Sequence, residues 1–227
     1  MTPSFETDVL IVGGGPVGLT LAMDLAQRGV EVAVVELRRE GEPPSVKCNH
    51  VAARSMELFR RLGVARKLRD AGLPADYPND VAYKTTMLGT ELTRIEIPCR
   101  RDRYDAKGGP DTWWPTPEPP HRINQIFLEP VLFAHAVSTP RLTLHNRVEF
   151  VDFTQDEEGV SAVARALDGG GTLSFKARYL IGCDGGKSEV RRRSGRSSSA
   201  MRSCSACSRA ISARRLCSGC RAASAPG

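Results

Sequence analysis

The sequence feature that most constrains the fold is a short apolar run that enters a glycine cluster near residue 13. Val9 to Val12 are four consecutive apolar residues. A short apolar run that ends in a turn signal is typical of a strand buried on both faces of a sheet. The segment that follows consists of Gly13, Gly14, Gly15, Pro16, Val17 and Gly18.

Three of these glycines have the spacing G-x-G-x-x-G, and a side chain would obstruct each of them differently. Gly13 permits the tight turn off the strand, Gly15 lets the backbone approach a pyrophosphate, and Gly18 lets the next helix pack close to the strand. Pro16 suits the first turn of that helix, where a missing N–H costs nothing. Because the free N–H groups of a helix start bind anions, the segment predicts a dinucleotide phosphate site.

The residues that follow favour a ligand site over a glycine-rich turn without one. A helix is predicted from Pro16 to Arg28, with Gly29 placed to end it. A second apolar run, 32–35, then ends in Glu36. This acid lies close to the offset of about 20 residues expected for a carboxylate that accepts from a ribose hydroxyl.

Charge and cysteine are distributed unevenly along the 227 residues. Cys48, Cys99 and Cys183 are scattered through the body and are predicted to be free thiols, whereas the other four cysteines lie in the tail. The formal net charge is +6, but nine arginines follow the last acidic residue, Glu189, and residues 1–189 carry a net charge of −3. Nothing in that mildly acidic body favours nucleic acid as a partner.

No apolar run reaches the roughly 18 residues of a membrane span, and no signal-peptide pattern is present, so we expect a cytoplasmic protein without a membrane span.

The middle of the chain predicts a helix, a hairpin, a long loop and a β-meander. Arg54 lies near the start of the helix, where it opposes the helix dipole. A solvated surface arginine is the simpler interpretation there, and an anionic partner is the alternative. The predicted helices are Ala53 to Leu62 and a second from about Leu128 to Val137. The predicted strands are 81–87, 92–97, 142–144, 148–153, 160–167, 172–175 and 179–181, with loops at 37–53 and 100–121 and the meander drawn from the strands at 142–175.

The segment from Tyr179 to Arg191 repeats the arrangement at residue 13. A buried strand ends in Asp184, Gly185 and Gly186, and a short helix with Ser188 and Arg191 at its head follows. The pattern therefore predicts a carboxylate directed into a cleft at the end of a strand.

Together these segments resemble the class A flavoprotein aromatic hydroxylases, the family of para-hydroxybenzoate hydroxylase and phenol hydroxylase, over roughly residues 6–195. Four parts occur in the family's order. They are the G-x-G-x-x-G segment with Glu36, the helix opened by Arg54, the Gln125 that precedes Leu128-Glu129-Pro130, and the motif D-G-x-x-S-x-V-R at residues 184–191.

The resemblance implies a role for each matching residue. The segment from Gly13 to Gly18 would hold the pyrophosphate of FAD, Glu36 the adenosine ribose, and Arg54 the FAD phosphates, which overturns the surface interpretation. Gln125 would contact the flavin side. Asp184 and Gly185 would serve both FAD and the nicotinamide cofactor, and Arg191 can pair with phosphate.

The resemblance also implies an α/β fold: a Rossmann-like FAD-binding domain with a parallel sheet and a β-meander, plus part of a β-rich substrate domain. Residues 1–80 and 120–195 would form the first domain, and 81–119 the second. In this family NADPH or NADH reduces FAD, and the flavin C4a-hydroperoxide formed with molecular oxygen hydroxylates a small aromatic substrate. No catalytic side chain or metal is expected, and packing or solvated roles fit the four histidines. The oligomeric state is left open.

The chain departs from the family after residue 195. The family's downstream Gly-Asp motif is missing, and residues 197–227 contain nine Ser, seven Ala, five Arg and four Cys. Such a composition predicts a disordered tail. A reading-frame shift is the favoured interpretation, and the chain is then expected to be truncated and inactive.

Several alternatives stay open. Cys204, Cys207, Cys217 and Cys220 could hold a structural zinc, although their middle spacing is short. A basic nucleic-acid arm rests on charge alone. The chain could also belong to another FAD oxidoreductase, such as an epoxidase or halogenase, or be a non-catalytic flavin- or zinc-binding remnant.

Overall fold

The protein is described by a computed structural model over residues 2–44 and 49–196. No helix in these two ranges is both long and apolar enough to cross a membrane. The helices are α1 (Pro16–Gln27), α2 (Ala53–Arg61), α3 (Ala65–Asp70), α4 (Gln125–Val137) and α5 (Glu189–Arg193). The strands are β1 (Ser4–Val12), β2 (Val32–Glu36), β3 (His50–Val51), β4 (Val81–Lys84), β5 (Glu91–Ile95), β6 (His121–Arg122), β7 (Leu142–Asn146), β8 (Val148–Gln155), β9 (Val160–Ala166) and β10 (Thr172–Gly182).

A six-stranded sheet with the order β7-β2-β1-β10-β9-β8 forms the centre of the molecule. β1 is parallel to both of its neighbours, β2 and β10, and β2 is parallel to β7. The remaining pairs, β10 with β9 and β9 with β8, are antiparallel. The predicted α/β fold with a parallel sheet and a β-meander is therefore confirmed.

The apolar run of β1 is continuous because both faces of this strand are covered. Val9 and Ile11 pack on one face with β2 residues and with Ala22 of α1. Leu10 and Val12 pack on the other face, in a cluster that includes Phe175. β8 also contacts β2 although three strands separate them in the sheet order, so the antiparallel half folds back over the parallel half. Successive side chains of a strand point to opposite faces, so a strand covered on both sides shows no polar alternation.

The limits of the meander differ from the prediction. The segments 172–175 and 179–181 belong to one unbroken strand, β10, because its first half pairs with β9 while most of its length pairs with β1. Only β8, β9 and β10 form the meander. β7 lies at the opposite edge of the sheet, where it pairs with β2 after the helical crossover through α4.

Three short elements, β3, β6 and α3, lie in regions where the pattern predicts none. The predicted loop 37–53 contains β3, which pairs antiparallel with β6 at the end of the second predicted loop. α3 follows α2 directly and adds the fully buried Leu68 to the cluster beneath α4. α4 begins at Gln125, earlier than predicted, because the side chain of Asn124 accepts a hydrogen bond from the Ile126 N–H and caps the helix.

The predicted hairpin is confirmed as β4 and β5, which pair antiparallel. Every residue of both strands is exposed, in contrast to the central sheet.

Of the three cysteines predicted to be free, Cys99 and Cys183 are free thiols. Cys48, the four tail cysteines and the predicted disordered segment lie outside the described residues.

Candidate functional site

The turn between β1 and α1 forms the first part of the candidate site, and its glycines face different surroundings. Gly13 has φ +107, and a Cβ added there would lie 2.5 Å from the Cys183 carbonyl oxygen. A Cβ on Gly18 would lie 1.9 Å from the Gly13 carbonyl oxygen. A Cβ on Gly15 would meet no atom within 4 Å. The protein itself thus excludes side chains at Gly13 and Gly18, whereas Gly15 borders open space at the helix start.

Glu36 lies at the end of β2 and is bonded to this turn. Its Oε2 accepts a hydrogen bond of 2.5 Å from the Gly14 N–H. Its Oε1 accepts from the backbone and the side chain of Arg38 at 3.0 and 2.9 Å. Burial alone would raise the pKa of Glu36, but the hydrogen bonds from Arg38 and Gly14 outweigh it and hold the pKa below its usual value. A carboxylate offers about four lone-pair positions, and Gly14 and Arg38 occupy three of them, so this one can still accept from one hydroxyl group of a ligand.

Arg38 connects Glu36 to the start of α4. Its Nη1 donates to Glu129 Oε2 at 2.8 Å. The other oxygen of Glu129 accepts from the side-chain amide of Gln125. Glu129 is buried, and its charge is balanced by the Arg38 cation. Gly14, Glu36, Arg38, Glu129 and Gln125 therefore form one continuous hydrogen-bonded chain.

A solvent-open recess lies beside this chain, with an empty volume of about 580 Å³. Its lining includes the backbone of the glycine turn, the charged chain and an aromatic side chain. Among the lining residues are Gly14, Glu36, Arg38, Gly41, Glu129 and Phe133. The recess offers carboxylates, N–H groups and an apolar wall to one ligand, a composition common in cofactor sites.

Asp184 lies two residues after the end of β10, which is the parallel neighbour of β1. A Cβ added to Gly13 would lie 2.8 Å from the Asp184 nitrogen, so the ends of the two strands are in contact. Asp184 Oδ2 accepts from the N–H groups of Glu189 and Val190 at 2.6 and 3.2 Å and so helps to cap α5. Asp184 Oδ1 is buried and has no hydrogen-bond partner within the described ranges.

An unpaired buried carboxylate oxygen is costly, so Asp184 Oδ1 is suited to accept a hydrogen bond from a ligand. The capping role of Asp184 and that of Ser188, whose Oγ accepts from the Arg191 N–H, were missed by the sequence reasoning. The signal was present, since an acid and a serine ahead of a short helix are both typical caps.

The structure brings most of the predicted site residues to one edge of the sheet. The glycine turn, Glu36 and Asp184 follow three adjacent parallel strands, and Gln125 joins them through Arg38 and Glu129. Pro16 is the first residue of α1, and the Val17 side chain is exposed beside it. Gly185 follows Asp184 in the turn before α5.

Two further predicted residues, Arg54 and Arg191, lie on helices. Arg54 lies in the first turn of α2 with an exposed side chain. Arg191 lies in α5, where its Nη2 donates to the Gly186 carbonyl oxygen at 3.0 Å.

Packing roles fit three of the four histidines, as expected. His121 Nε2 lies 2.9 Å from the Leu68 carbonyl oxygen, and His135 Nε2 lies 2.8 Å from that of Leu62. His145 contacts the rings of Phe5 and Phe175. The part of the chain that is described contains no group of three or more His, Cys, Asp or Glu side chains able to hold a metal.

Comparison with known proteins agrees with this geometry. The family described as FAD binding domain matches residues 6–217. Two curated relatives are phenol 2-monooxygenase of Pseudomonas sp. (strain EST1001), 30% identical over 190 residues, and aklavinone 12-hydroxylase DnrF of Streptomyces peucetius subsp. caesius, 34% identical over 187 residues. Each alignment covers 82% of this chain, but only 30% and 37% of the relative. The chain thus spans about a third of the length of the curated relatives it matches.

Solved structures are similar over most of the chain. The rebeccamycin biosynthetic enzyme RebC, soaked with K252c, is 40% identical with a TM-score of 0.75, covering 86% of this chain and 36% of RebC. The flavin-dependent monooxygenase PieE, in complex with FAD and substrate, is 30% identical with a TM-score of 0.73, covering 86% of this chain and 33% of PieE.

Proposed function

The chain belongs to the FAD binding domain family, and we propose that it forms the FAD-binding part of an NADPH- or NADH-dependent monooxygenase that hydroxylates a small aromatic substrate with molecular oxygen. The observation that carries the proposal is that three adjacent parallel strands bring the glycine turn, Glu36 and Asp184 to one sheet edge. Dinucleotides bind at the carboxyl ends of such strands. We infer the type of reaction from the aromatic monooxygenases among the relatives.

The adenosine half of FAD fits the recess beside Glu36. In this arrangement the pyrophosphate lies against the N–H groups at the start of α1, and the open space next to Gly15 admits it. Gly14, Pro16 and Val17 complete that turn. Glu36 accepts from a ribose hydroxyl with the lone pair that Gly14 and Arg38 leave free.

The flavin half lies toward Asp184 and Gln125. Oδ1 of Asp184 accepts from a hydroxyl of the cofactor, which satisfies an atom that has no hydrogen-bond partner among the described residues. Gln125 is positioned by Glu129 for a contact on the flavin side. Arg54 binds the FAD phosphates, while Gly185 and Arg191 provide a docking place for NADPH or NADH near Asp184.

FAD, when bound, supplies the redox and oxygen chemistry, so the protein's task is to bind, orient and exclude water. Residues 1–80 and 120–195 form the FAD-binding domain in this proposal. Residues 81–119, with the β4–β5 hairpin, contribute to the substrate domain. The lowered pKa of Glu36 keeps its carboxylate ionised at neutral pH, which also disfavours a 2′-phosphate at the first ribose and so favours FAD over NADP.

FAD retention by the purified chain, followed by its visible absorbance, tests the binding part of the proposal. The reaction is tested on a full-length version that contains this chain, incubated with FAD, NADPH and phenol under ¹⁸O₂ and followed by mass spectrometry. A monooxygenase places one ¹⁸O atom in the phenol ring and consumes NADPH in a substrate-dependent manner. Consumption of NADPH that no compound in a panel of phenols and other aromatic substrates stimulates, with no ¹⁸O in any organic product, would contradict a monooxygenase.

A further inference from the structure

A second recess, which shares no lining residue with the one beside Glu36, is surrounded by arginines. It lies between the segment after α3, the loop 98–103 and β6, and the space inside it is about 10 Å³, which is room for about one water molecule. Its polar lining comprises Tyr77, Asn79, Arg100, Arg103, His121 and Arg122. We call this the arginine recess.

The three arginines of the recess differ in how their charge is balanced. Arg103 is almost fully buried, and its Nη1 donates to Asp111 Oδ2 at 2.7 Å while its Nη2 donates to the Pro98 carbonyl oxygen at 3.2 Å. The Nε atoms of Arg100 and Arg122 are also buried, but neither has a hydrogen-bond partner among the described residues. Two buried N–H donors of charged groups therefore border the arginine recess without an acceptor.

No carboxylate side chain of the described ranges is paired with Arg100 or Arg122. Those ranges hold every Asp and Glu of the sequence, because Met1, residues 45–48 and residues 197–227 contain none. Asp111 is already paired with Arg103. The arginine recess therefore carries an excess of positive charge on partly buried side chains.

The buried side chain of His121 responds to that charge. Burial, followed by the cations Arg69, Arg100 and Arg103, lowers the pKa of His121 to about 4 against the opposing hydrogen bond to Leu68. A histidine that holds its proton so weakly adds no further charge at neutral pH. The excess charge of the arginine recess thus comes from the guanidinium groups alone.

The size of the arginine recess limits which anion can neutralise this charge. A carboxylate, a phosphate or a sulfate contains several heavy atoms, so none of them fits where there is room for about one water molecule. Chloride is a single atom that is only slightly larger than a water molecule, and small movements of arginine side chains accommodate the difference. The recess is therefore suited to a monatomic anion.

A water molecule would occupy the same space but would leave the charge in place. Its own hydrogens would also need acceptors, whereas a guanidinium group offers donors only. A monatomic anion accepts from both Nε–H groups and brings the negative charge that the paired carboxylates do not supply. Because a buried charge without a counter-charge is costly, the anion is the better occupant.

We propose that the arginine recess is a chloride site, in which a single ion lies between the Nε–H groups of Arg100 and Arg122. The ion joins the loop 98–103 to β6, two segments that are distant in the sequence, and so stabilises the folded chain. The site is separate from the recess beside Glu36, so this inference and the proposed function stand or fall independently.

Thermal unfolding of the whole chain tests the inference in buffers of constant ionic strength, in which sodium chloride replaces sodium gluconate. Gluconate is also monovalent, but it is a large organic anion that does not fit the recess. A ligand that binds only the folded state raises the unfolding temperature, and we expect a rise of about 3 °C or more over a roughly hundredfold range of chloride concentration. No rise, as expected if water fills the recess, overturns the inference.

Variants locate the site. Arg100→Gln and Arg122→Gln should each reduce the chloride-dependent rise to about 1 °C or less. Arg101→Gln is the matched control and should keep the full rise, because Arg101 is exposed, pairs with Asp102 and lies outside the recess lining. A chloride-dependent rise that is equal in both recess variants and in the unaltered chain overturns the inference.

Unfolding in gluconate alone separates an ion site from a purely structural role of the two arginines. Without chloride, Arg100→Gln and Arg122→Gln each remove a partly buried charge that has no partner, so these variants should unfold at the same temperature as the unaltered chain or at a higher one. Side chains that stabilise the fold without an ion would instead give a lower unfolding temperature in both salts, and that result overturns the inference.

The line width of the ³⁵Cl magnetic resonance decides the matter if a variant does not fold. Chloride that exchanges with a site on the unaltered chain broadens this signal. We expect a broadening that saturates at a single ion per chain and disappears when the chain is unfolded in urea. Broadening that grows without saturation, or that persists in urea, overturns the inference.

Discussion

β1 and the β4–β5 hairpin are both extended, but their surroundings differ completely. Val9 to Val12 of β1 are all buried, since strands lie on both sides of β1 and side chains cover both of its faces. All nine residues of β4 and β5 are exposed, and Leu88 in their turn is 97% exposed. Burial on both faces, rather than strand geometry, therefore fixes the position of the end of β1, where the candidate site begins.

The turn after β1 and the β4–β5 hairpin differ in how firmly the rest of the fold holds their backbone. The turn after β1 is held by hydrogen bonds from the Gly13 N–H to the Val35 carbonyl at 2.8 Å and from the Cys183 N–H to the Val12 carbonyl at 2.7 Å. The hairpin is held mainly by its own ladder and by Asp80, which accepts from Arg94 and from the Ile97 N–H. A two-stranded ribbon of this kind is marginally stable by itself. Substitutions should therefore have large effects near β1 and small effects in the hairpin.

Gly18→Ala should have the largest effect, because the new Cβ would lie 1.9 Å from the backbone oxygen of Gly13. Neither atom belongs to a flexible side chain, so the strand and the helix must separate. We expect the free energy of unfolding in urea to fall by about 5 kcal/mol or more. The same substitution at Gly171, where a Cβ meets no atom within 4 Å, is the control and should change it by less than about 1 kcal/mol.

Phe175→Ala is next in size, since this ring is fully buried between the two halves of the sheet. Removing it leaves a cavity and should cost about 3–5 kcal/mol. Tyr179→Ala on the same strand removes a 60% exposed ring and should cost far less. Equal losses in urea unfolding for the two variants would contradict the account of the core.

Glu36→Gln should weaken FAD binding by about 1–3 kcal/mol while the fold persists. The amide loses the charge that bonds Arg38 and part of the capacity to accept from the ribose. Fluorescence titration with FAD measures the loss. Glu31→Gln is the control, because Glu31 is an exposed acid paired with Arg141 on the protein surface. An unchanged FAD affinity in Glu36→Gln would remove this residue from the site.

The buried side chain of His121 should make the free energy of unfolding depend on pH. Its pKa is about 4 in the folded chain, below the 6.5 of an unperturbed histidine, because of burial and nearby arginines. The unfolded chain therefore takes up the proton first, so this contribution is complete above pH 6.5 and is lost as the pH falls toward 4. Urea unfolding of His121→Gln between these pH values should show a shallower decline than the unaltered chain, and an equal slope would contradict the prediction.

Leu88→Ser should have the smallest effect. The side chain is almost fully exposed in the turn of the hairpin, so we expect the free energy of unfolding to change by less than about 0.5 kcal/mol. A loss comparable to that of Phe175→Ala would mean that the hairpin is packed against other parts of the chain, which would remove the contrast with β1.

The sequence predicts correctly those elements that depend only on residues close to them in the chain. The turn at Gly13, the helix from Pro16 and the acid at the end of β2 each follow from their neighbours in the chain. The bond from Arg38 to Glu129 joins segments about 90 residues apart, which no local pattern reveals. The bond from Gln125 to Glu129 lies within one turn of α4, but it joins the site only through that distant pair. Likewise, the sequence pattern predicts two strands where the structure has the single strand β10. Pairing with β9 and β1 continues the strand through the polar residues Lys176 and Arg178, and this pairing is not visible in the local composition.

The most direct test of the central claim is FAD binding by Gly15→Val beside the unaltered chain. A Cβ at Gly15 meets open space and φ there is −76, so the variant should unfold at nearly the same temperature as the unaltered chain. Its isopropyl group should nevertheless occupy the path of the pyrophosphate and weaken FAD binding at least about a hundredfold, as expected when bonds to a charged group are lost. Unchanged FAD affinity in a folded Gly15→Val chain would show that the turn after β1 is not the phosphate site.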